Sequence, residues 1–347
     1  MHKIMNNSHW CILNYNLKST DLHNESDVMK FAFHATMCPT EQYLPLCQAA
    51  EAAGFDTFTF PDSICYPEKG SDCYPYNSDG TREFLDGVPF IEPFVLIPYL
   101  AAQTEKIRFS TSVIKLAVRQ PSIVAKQLSS MAALIGDRFD FGVGISPWPE
   151  DFEATQIAWE KRGKRMDEMM EIINGLLTGE YFEYKGEVFD LASIKLTPTP
   201  DFHVPLLVGG HAKPALRRAA RLGDGWIAAG GKIDEYKTMI DTINAFRKEY
   251  GRDHLPFQIQ AMSHDSFSVD GLLQLHAIGV TEVIIAFRDV YGKEADDKSV
   301  EEKTKMINWY AENMIKPFHE QVAWLRPIGQ RVSLFGRYFP SKAHESG

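Results

Sequence analysis

Two adjacent glycines have the clearest chemical capacity in this chain. In PLLVGGHAKPALRRAARLGDGW, the apolar run Pro205–Val208 stops at Gly209 and Gly210. A helix-like segment follows around Pro214–Leu222, and Gly223-Asp224-Gly225 leads back into an apolar run. Glycines after a buried strand let backbone N–H groups approach a ligand without interference from Cβ. The next helix presents its positive N-terminus, so the stretch has the parts of a phosphate cradle. An ordinary strand-to-helix turn also favours glycine, and the pair alone does not separate the two readings. His34 closes the strand-like run KFAFHA, and Asp62 lies just past the second such run, FDTFTF. Both are candidates for acid–base work, although a core-edge histidine with a satisfied hydrogen bond is the plainer reading of His34.

The elements that must position these residues alternate along the chain. Lys30–Ala35 reads as a strand, Tyr43–Ala53 as a helix ended by Gly54, and Phe55–Phe60 as a second strand. IRFSTSVIKL, the helix Ser122–Ile135, FDFGVG, PLLVGG, GWIAAG, FQIQAM and TEVIIAF continue the pattern. A helix rich in small residues, then glycine, then a strand recurs in AEAAGFDTFTF, RAARLGDGWIAA and LQLHAIGVTEVIIAF. Eight strand candidates, several of them continuous apolar runs, predict an α/β fold, a (β/α)8 TIM barrel. A doubly wound sheet ranks second, because no GxGxxG opens a helix after the first strand. Two long segments, Pro61–Pro89 and Ile145–Trp159, are read as insertions after strands 2 and 4, at the face where barrel enzymes build their sites. The hairpin-like stretch Glu180–Leu191 is expected to shield one side of the mouth, and Val300–Ile315 to be either the last barrel helix or a dimer contact. The expected organisation is a polar, disordered extension over 1–28, the barrel over 29–335, and a tail over 336–347.

Composition narrows the function. The chain has 347 residues, 44% of them hydrophobic, which suffices for a large core. Its 36 Lys and Arg against 46 Asp and Glu give a formal net charge of -10, which argues against nucleic acid and anionic membranes as partners. No segment approaches the roughly 20 apolar residues of a membrane span, and Trp10–Leu13 is too short for a secretory signal. Five cysteines without a CxxC pair fit a reduced, cytoplasmic protein, and no metal site is expected from their spacing.

PLLVGG followed by AxxRAARLGDGW resembles the luciferase-like monooxygenase family, which includes bacterial luciferase, alkanesulfonate monooxygenases and deazaflavin-dependent reductases. FGVG at 141–144, EDFEA at 150–154, KRGKRMDEMMEIINGLLTGEYFEYKGEVFDL and IRFSTSVIKLAVRQPSIVAKQLSSMAAL extend the resemblance over about residues 29–290. It implies a flavin- or deazaflavin-dependent oxidoreductase, using FMN or coenzyme F420, that inserts oxygen into a small organic substrate or transfers a hydride. It further implies that Gly209, Gly210 and His211 hold the cofactor phosphate. Ser112 and Val113 would form a cis peptide behind the ring, Asp62 would lie near the ring, and Gly142 and Gly144 would let backbone pass close to it. A homodimer and a separate flavin reductase as partner are implied in the same way. The chain also departs from the family. Ser63 stands where many relatives have a catalytic histidine, and Ile145 where some deazaflavin enzymes have a glutamate. A non-catalytic flavin-binding barrel therefore remains an alternative. A phosphosugar isomerase or aldolase ranks lowest, since Lys115, read as a rim residue, is the only lysine near a strand end.

Other side chains have two readings each. Trp148 either walls the pocket or anchors its loop. Arg162 and Arg165, with Asp167 and Glu168 nearby, read as ion pairs on a solvated helix face. Asp224 caps a turn or borders the phosphate. Tyr66, Tyr74 and Tyr76 suit either an aromatic lid or ordinary loop packing.

Overall fold

The computed structural model describes residues 28–71, 74–75, 79–294 and 296–325; residues 1–27 of the proposed extension over 1–28, Tyr76 and the 336–347 tail lie outside these. Runs such as FAFH, TFTF and FDFGVG leave no polar face to turn toward water, so each must be covered on both sides. The structure does this with a closed parallel barrel. Its strands are β1 (Lys30–His34), β2 (Thr57–Phe60), β3 (Arg108–Thr111), β4 (Ile114–Lys115), β5 (Phe139–Gly144), β8 (Leu206–Gly209), β9 (Gly225–Ala228), β10 (Gln258–Ala261) and β11 (Glu282–Ile285). The order is β1-β2-β3-β5-β8-β9-β10-β11, with β11 pairing back to β1. The two-residue β4 continues the third position beyond a cis Ser112–Val113 peptide and pairs with β5. Among the described residues this is an eight-position TIM barrel, as the sequence predicts.

Helix ends follow local chemistry. Helix α1 (Tyr43–Ala53) stops at Gly54, whose φ of 88° suits a residue without Cβ. Phe55 then closes that helix through Ala50, and Asp56 accepts from Phe31 N at 2.9 Å, so strand pairing starts only at Thr57. Next come α2 (Pro93–Ala101) and α3 (Pro121–Ile135), each with proline in the first turn, where a missing N–H costs nothing. After them come α4 (Pro149–Ala154), α5 (Arg162–Leu177), α6 (Lys213–Leu222), α7 (Ile233–Glu249), α8 (Val269–Ala277) and α9 (Val300–Tyr310). A π-turn over Ala311–Ile315 leads into α10 (Lys316–Leu325). Helix α9 packs on α1 and α10 on α8, so the stretch read as Val300–Ile315 covers the barrel wall where the last strand meets the first.

Two expectations are corrected here. The hairpin, β6 (Phe182–Lys185) with β7 (Asp190–Ile194), does not shield the mouth. It lies along α5: buried Glu168 accepts from the backbone N–H groups of Glu187, Val188 and Phe189, and Phe182 occupies the space a Cβ on Gly175 would need. Nor do Arg162 and Arg165 pair with Asp167 and Glu168 in solvent. Arg165 donates to the carbonyls of Ala117 and Arg119, Arg162 lies over the Trp159 ring, and Asp167 pairs with Arg218 and Arg221. Tertiary acceptors outcompete a helix-surface pair because each is already desolvated and aligned.

The barrel floor is polar. Arg108 pairs with buried Asp140 at 2.8 Å, and Gln260 Nε2 donates to Glu282 Oε2 at 2.7 Å. Burial, then the Asp140 charge, raises the Glu282 pKa from 4.5 to about 7. The unfolded chain therefore releases this proton first, and stability is lost as pH climbs from about 4.5 to about 7, by about 3 kcal/mol. Glu282→Gln removes the titration. We expect it to raise stability above pH 7 and flatten that slope, read from urea midpoints at pH 5 and 8; an unchanged slope would refute the assignment.

Candidate functional site

Above this floor, at the C-terminal ends of the strands, a cavity of about 230 Å3 opens in the barrel mouth. A layer of Ala32, Leu207, Ile227 and Ile284, with Val113 and Met262 against it, separates cavity from floor. The structure brings His34, Asp62, Ser112, Val113, Gly144, Gly209 and Gly210 into one lining. They come from five different strand ends and meet because all barrel strands point the same way.

Val113 is the centre of the glycine pattern. A Cβ on Gly144 would lie 2.7 Å from Val113 Cγ2, and one on Gly209 would lie 2.9 Å from its Cγ1. Bare backbone at both positions thus lets the valine next to the cis peptide seat between β5 and β8. Gly210 has φ 117°, a conformation open to glycine, and Trp226 Nε1 donates to its carbonyl at 2.9 Å, which fixes the peptide plane. Gly142 does not line the cavity. Its missing Cβ is demanded by the Thr111 carbonyl oxygen, 1.7 Å away, inside the wall. The His211 ring also stands outside the lining, 6.0 Å from Trp226, and burial lowers its pKa, with the backbone of Ala229 opposing. Asp224 accepts from Leu206 N at 3.0 Å, at the start of β8, so it is at the opposite end of the barrel from Gly210 and is a turn residue.

Both oxygens of Asp62 are engaged. Oδ2 accepts from Lys115 N at 2.9 Å and Arg119 Nη1 at 2.8 Å, and Oδ1 from Arg119 Nη2 at 3.1 Å. This carboxylate clamps the segment after the cis bond and is not a free base. His34 is the reverse. It is 6% exposed, its Nδ1 has no hydrogen-bond partner, and burial pushes its pKa down to about 4, so the ring is neutral at pH 7. A hydrogen bond with the Thr59 backbone opposes that shift, so the ring has the hydrogen bond of the satisfied-histidine reading alongside an Nδ1 left without a partner.

The two long loops interlock over the mouth. Tyr74 stacks on Trp148 with centroids 4.9 Å apart and planes 9° apart. Arg82 lies 4.2 Å over the same Trp148 ring and pairs with Glu150 at 3.4 Å. Trp148 therefore both lines the cavity and anchors its loop. Beneath it, fully buried Asp151 pairs with Lys115 Nζ at 2.7 Å, accepts from Ser146 Oγ, and faces Arg82 Nη2 at 3.8 Å. Lys115 is thus in the buried cavity wall, not on the rim. A lysine inside an apolar strand was the available signal. Asp151 and Arg82 offered none, because their ion-pair partners are 36 to 69 positions away, and Tyr291, which packs 5.6 Å from Tyr74, lies beyond the last recognisable motif. Among the described residues no group of three or more His, Cys, Asp or Glu is placed to hold a metal ion, and no helix is long and apolar enough to cross a membrane.

Comparison with known proteins agrees with this geometry. An uncharacterised protein of Mycobacterium tuberculosis is 48% identical over 287 residues, covering 83% of this chain and 99% of that protein. Pyrimidine monooxygenase RutA of Allorhizobium ampelinum is 30% identical over 172 residues, 47% of each chain. Among solved structures, an F420-dependent secondary alcohol dehydrogenase in complex with an F420-acetone adduct superposes with a TM-score of 0.64 at 16% identity, covering 84% of this chain and 99% of that one, which shows the shared fold. The family model described as luciferase-like monooxygenase matches residues 31–266, and this chain belongs to that family.

Proposed function

We propose that the chain is an oxidoreductase that binds FMN or the deazaflavin coenzyme F420 in the barrel mouth and acts on a small organic substrate. The observation that carries this reading is the convergence of Gly144, Gly209, Gly210 and Val113 on one cavity. A Cβ at either of the first two would collide with Val113, so the wall is built around bare backbone. The residues present fit such a cofactor. Gly209 and Gly210 would meet its phosphate through main-chain N–H groups at the start of α6, and Val113 would back its ring. Bound there, reduced FMN supplies oxygen insertion, and the deazaflavin supplies hydride transfer. The protein's own part is to orient and to exclude water: Asp62 and Arg119 fix the segment carrying Val113, and the stacked Tyr74 and Trp148 cover the mouth. A non-catalytic carrier would not need a neutral, cavity-lining histidine with its Nδ1 left without a partner, which is why catalysis is the reading we favour.

Fluorescence titration of the purified protein with FMN and with F420, repeated for Gly209→Val and Gly210→Val, tests this. Loss of one or two charge-assisted N–H contacts should weaken binding about tenfold to a hundredfold. If neither cofactor binds, or if the valines leave binding unchanged, the phosphate cradle is wrong.

A further inference from the structure

Four aromatic rings meet over the barrel mouth, and all four line its cavity. Tyr74 and Phe84 come from the loop after β2, Trp148 from the loop after β5, and Tyr291 from the loop after β11. Tyr74, stacked on Trp148, lies 5.4 Å from Phe84 at 44° and 5.6 Å from Tyr291 at 61°. Phe84 meets Tyr291 edge-to-face, at 5.7 Å and 89°. Three loops far apart in sequence are thereby fastened into one roof. Lys293 ties it at the surface, pairing with Asp79 at 3.0 Å and Glu83 at 2.6 Å, and buried Arg82 holds Trp148 and Glu150. Rings tilted in this way cannot all turn the same side to the cavity. A ligand beneath them meets the negative face of one ring and the positive edge of another. An aromatic ligand matches both; a saturated ring of the same size gains dispersion alone.

The charges around the same cavity are already matched. Among the described residues of its lining, Asp62 and Lys115 are the ionised ones, and each has its partner in the wall, Arg119 and Asp151. His34, whose pKa burial pushes down to about 4, is neutral at pH 7. A charged ligand would give up its hydration beneath four rings and find no counter-charge there. We propose that the substrate is an uncharged molecule carrying an aromatic ring, and that Phe84 and Tyr291 set this choice by packing on it from two different loops. The proposal rests on the oxidoreductase reading above and adds which small organic molecules that site admits. Phe84 and Tyr291 are the two roof rings outside the stack of Tyr74, Trp148 and Arg82, so changing them leaves the tie between the loops in place.

The test titrates the full chain, loaded with oxidised FMN or F420, with three ligands of similar size: benzamide, benzoate and cyclohexanecarboxamide. Binding is followed without turnover by ligand-detected NMR. We expect benzamide to bind at least about tenfold tighter than benzoate, which finds no counter-charge. It should bind about threefold to tenfold tighter than cyclohexanecarboxamide, through the ring contacts. Phe84→Leu and Tyr291→Leu should each shrink this second ratio, and together bring it to about one. A general loosening of the loops weakens both carboxamides alike and leaves their ratio unchanged, so a merely structural role does not mimic the result. Benzoate bound as tightly as benzamide, a saturated ring bound as tightly as the aromatic one, or a preference that survives the double substitution overturns the proposal. So does benzamide that fails to bind below about 10 mM. The ratios in the parent protein decide the matter if a variant fails to fold. If neither cofactor binds, the oxidoreductase reading fails instead, and the same ratios on cofactor-free protein still test the roof.

Discussion

Gly142→Ala is expected to prevent the barrel from forming. The added Cβ would stand 1.7 Å from the Thr111 carbonyl oxygen, 2.9 Å from its carbon and 2.6 Å from Ile227 Cδ1. The first two contacts are backbone, and that backbone has no freedom to retreat. Thr111 Oγ1 donates to the Gly142 carbonyl at 2.7 Å, β3 pairs with β5 through Phe109–Phe139 and Ser110–Asp140, and β5 pairs with β8 through Gly142–Leu207. In a closed sheet a shift of one strand by an ångström breaks ladders on both sides. A cost of about 5 kcal/mol or more is expected, comparable to the whole stability of an ordinary domain. Soluble yield, circular dichroism and urea unfolding measure it. Gly144→Ala is the control. There the close atom is Val113 Cγ2, a side-chain methyl, so about 1–3 kcal/mol is expected. A Gly142→Ala protein that folds within about 2 kcal/mol of the parent would show that the wall yields more than this geometry allows.

Asp151→Asn should have the second largest effect. The substitution keeps the shape and a partner for Ser146 Oγ but removes the carboxylate that lies 2.7 Å from the Lys115 ammonium. Lys115, 8% exposed, would be left without its counter-charge, and breaking such a pair costs about 3–5 kcal/mol. Arg82 also loses its 3.8 Å partner, which loosens the tie between the loop carrying Tyr74 and the loop carrying Trp148. Cofactor affinity should therefore fall along with stability. The double variant Asp151→Asn/Lys115→Met should recover most of the stability, because the stranded charge is gone and an apolar chain of similar length takes its place. Stability of Asp151→Asn within about 1 kcal/mol of the parent, measured by urea unfolding at pH 7, would mean that the lysine is not held by this carboxylate.

Much of the site was legible because it is written in local chain geometry. Gly209 and Gly210 interrupt a buried apolar run, and runs such as TFTF have no side to expose. Proline at the start of α3 and glycine after α1 mark helix ends by covalent geometry alone. Lys115 was misplaced for the opposite reason. Its burial depends on Asp151, which sits 36 residues away on a short helix after the fourth barrel strand. Gly142 and Gly144 look alike in the sequence, yet one serves a strand crossing and the other borders the cavity. Nothing local separates them, because the atoms that distinguish them belong to Thr111, Ile227 and Val113.

By itself, then, the sequence determined the repeating βα architecture, the end of the barrel that carries the site, and the backbone-only stretch after β8, since these follow from which residues can face water and which backbone conformations they permit. Only the tertiary structure decided that Asp62 is a clamp and that His34 keeps one ring nitrogen without a partner, that the hairpin lies along α5 and not over the mouth, and that Arg82, Asp151 and Trp148 join two loops. Those roles are set by which partner satisfies each buried polar atom. In a closed barrel that partner comes from whichever strand end or loop lies alongside, at no fixed distance in sequence.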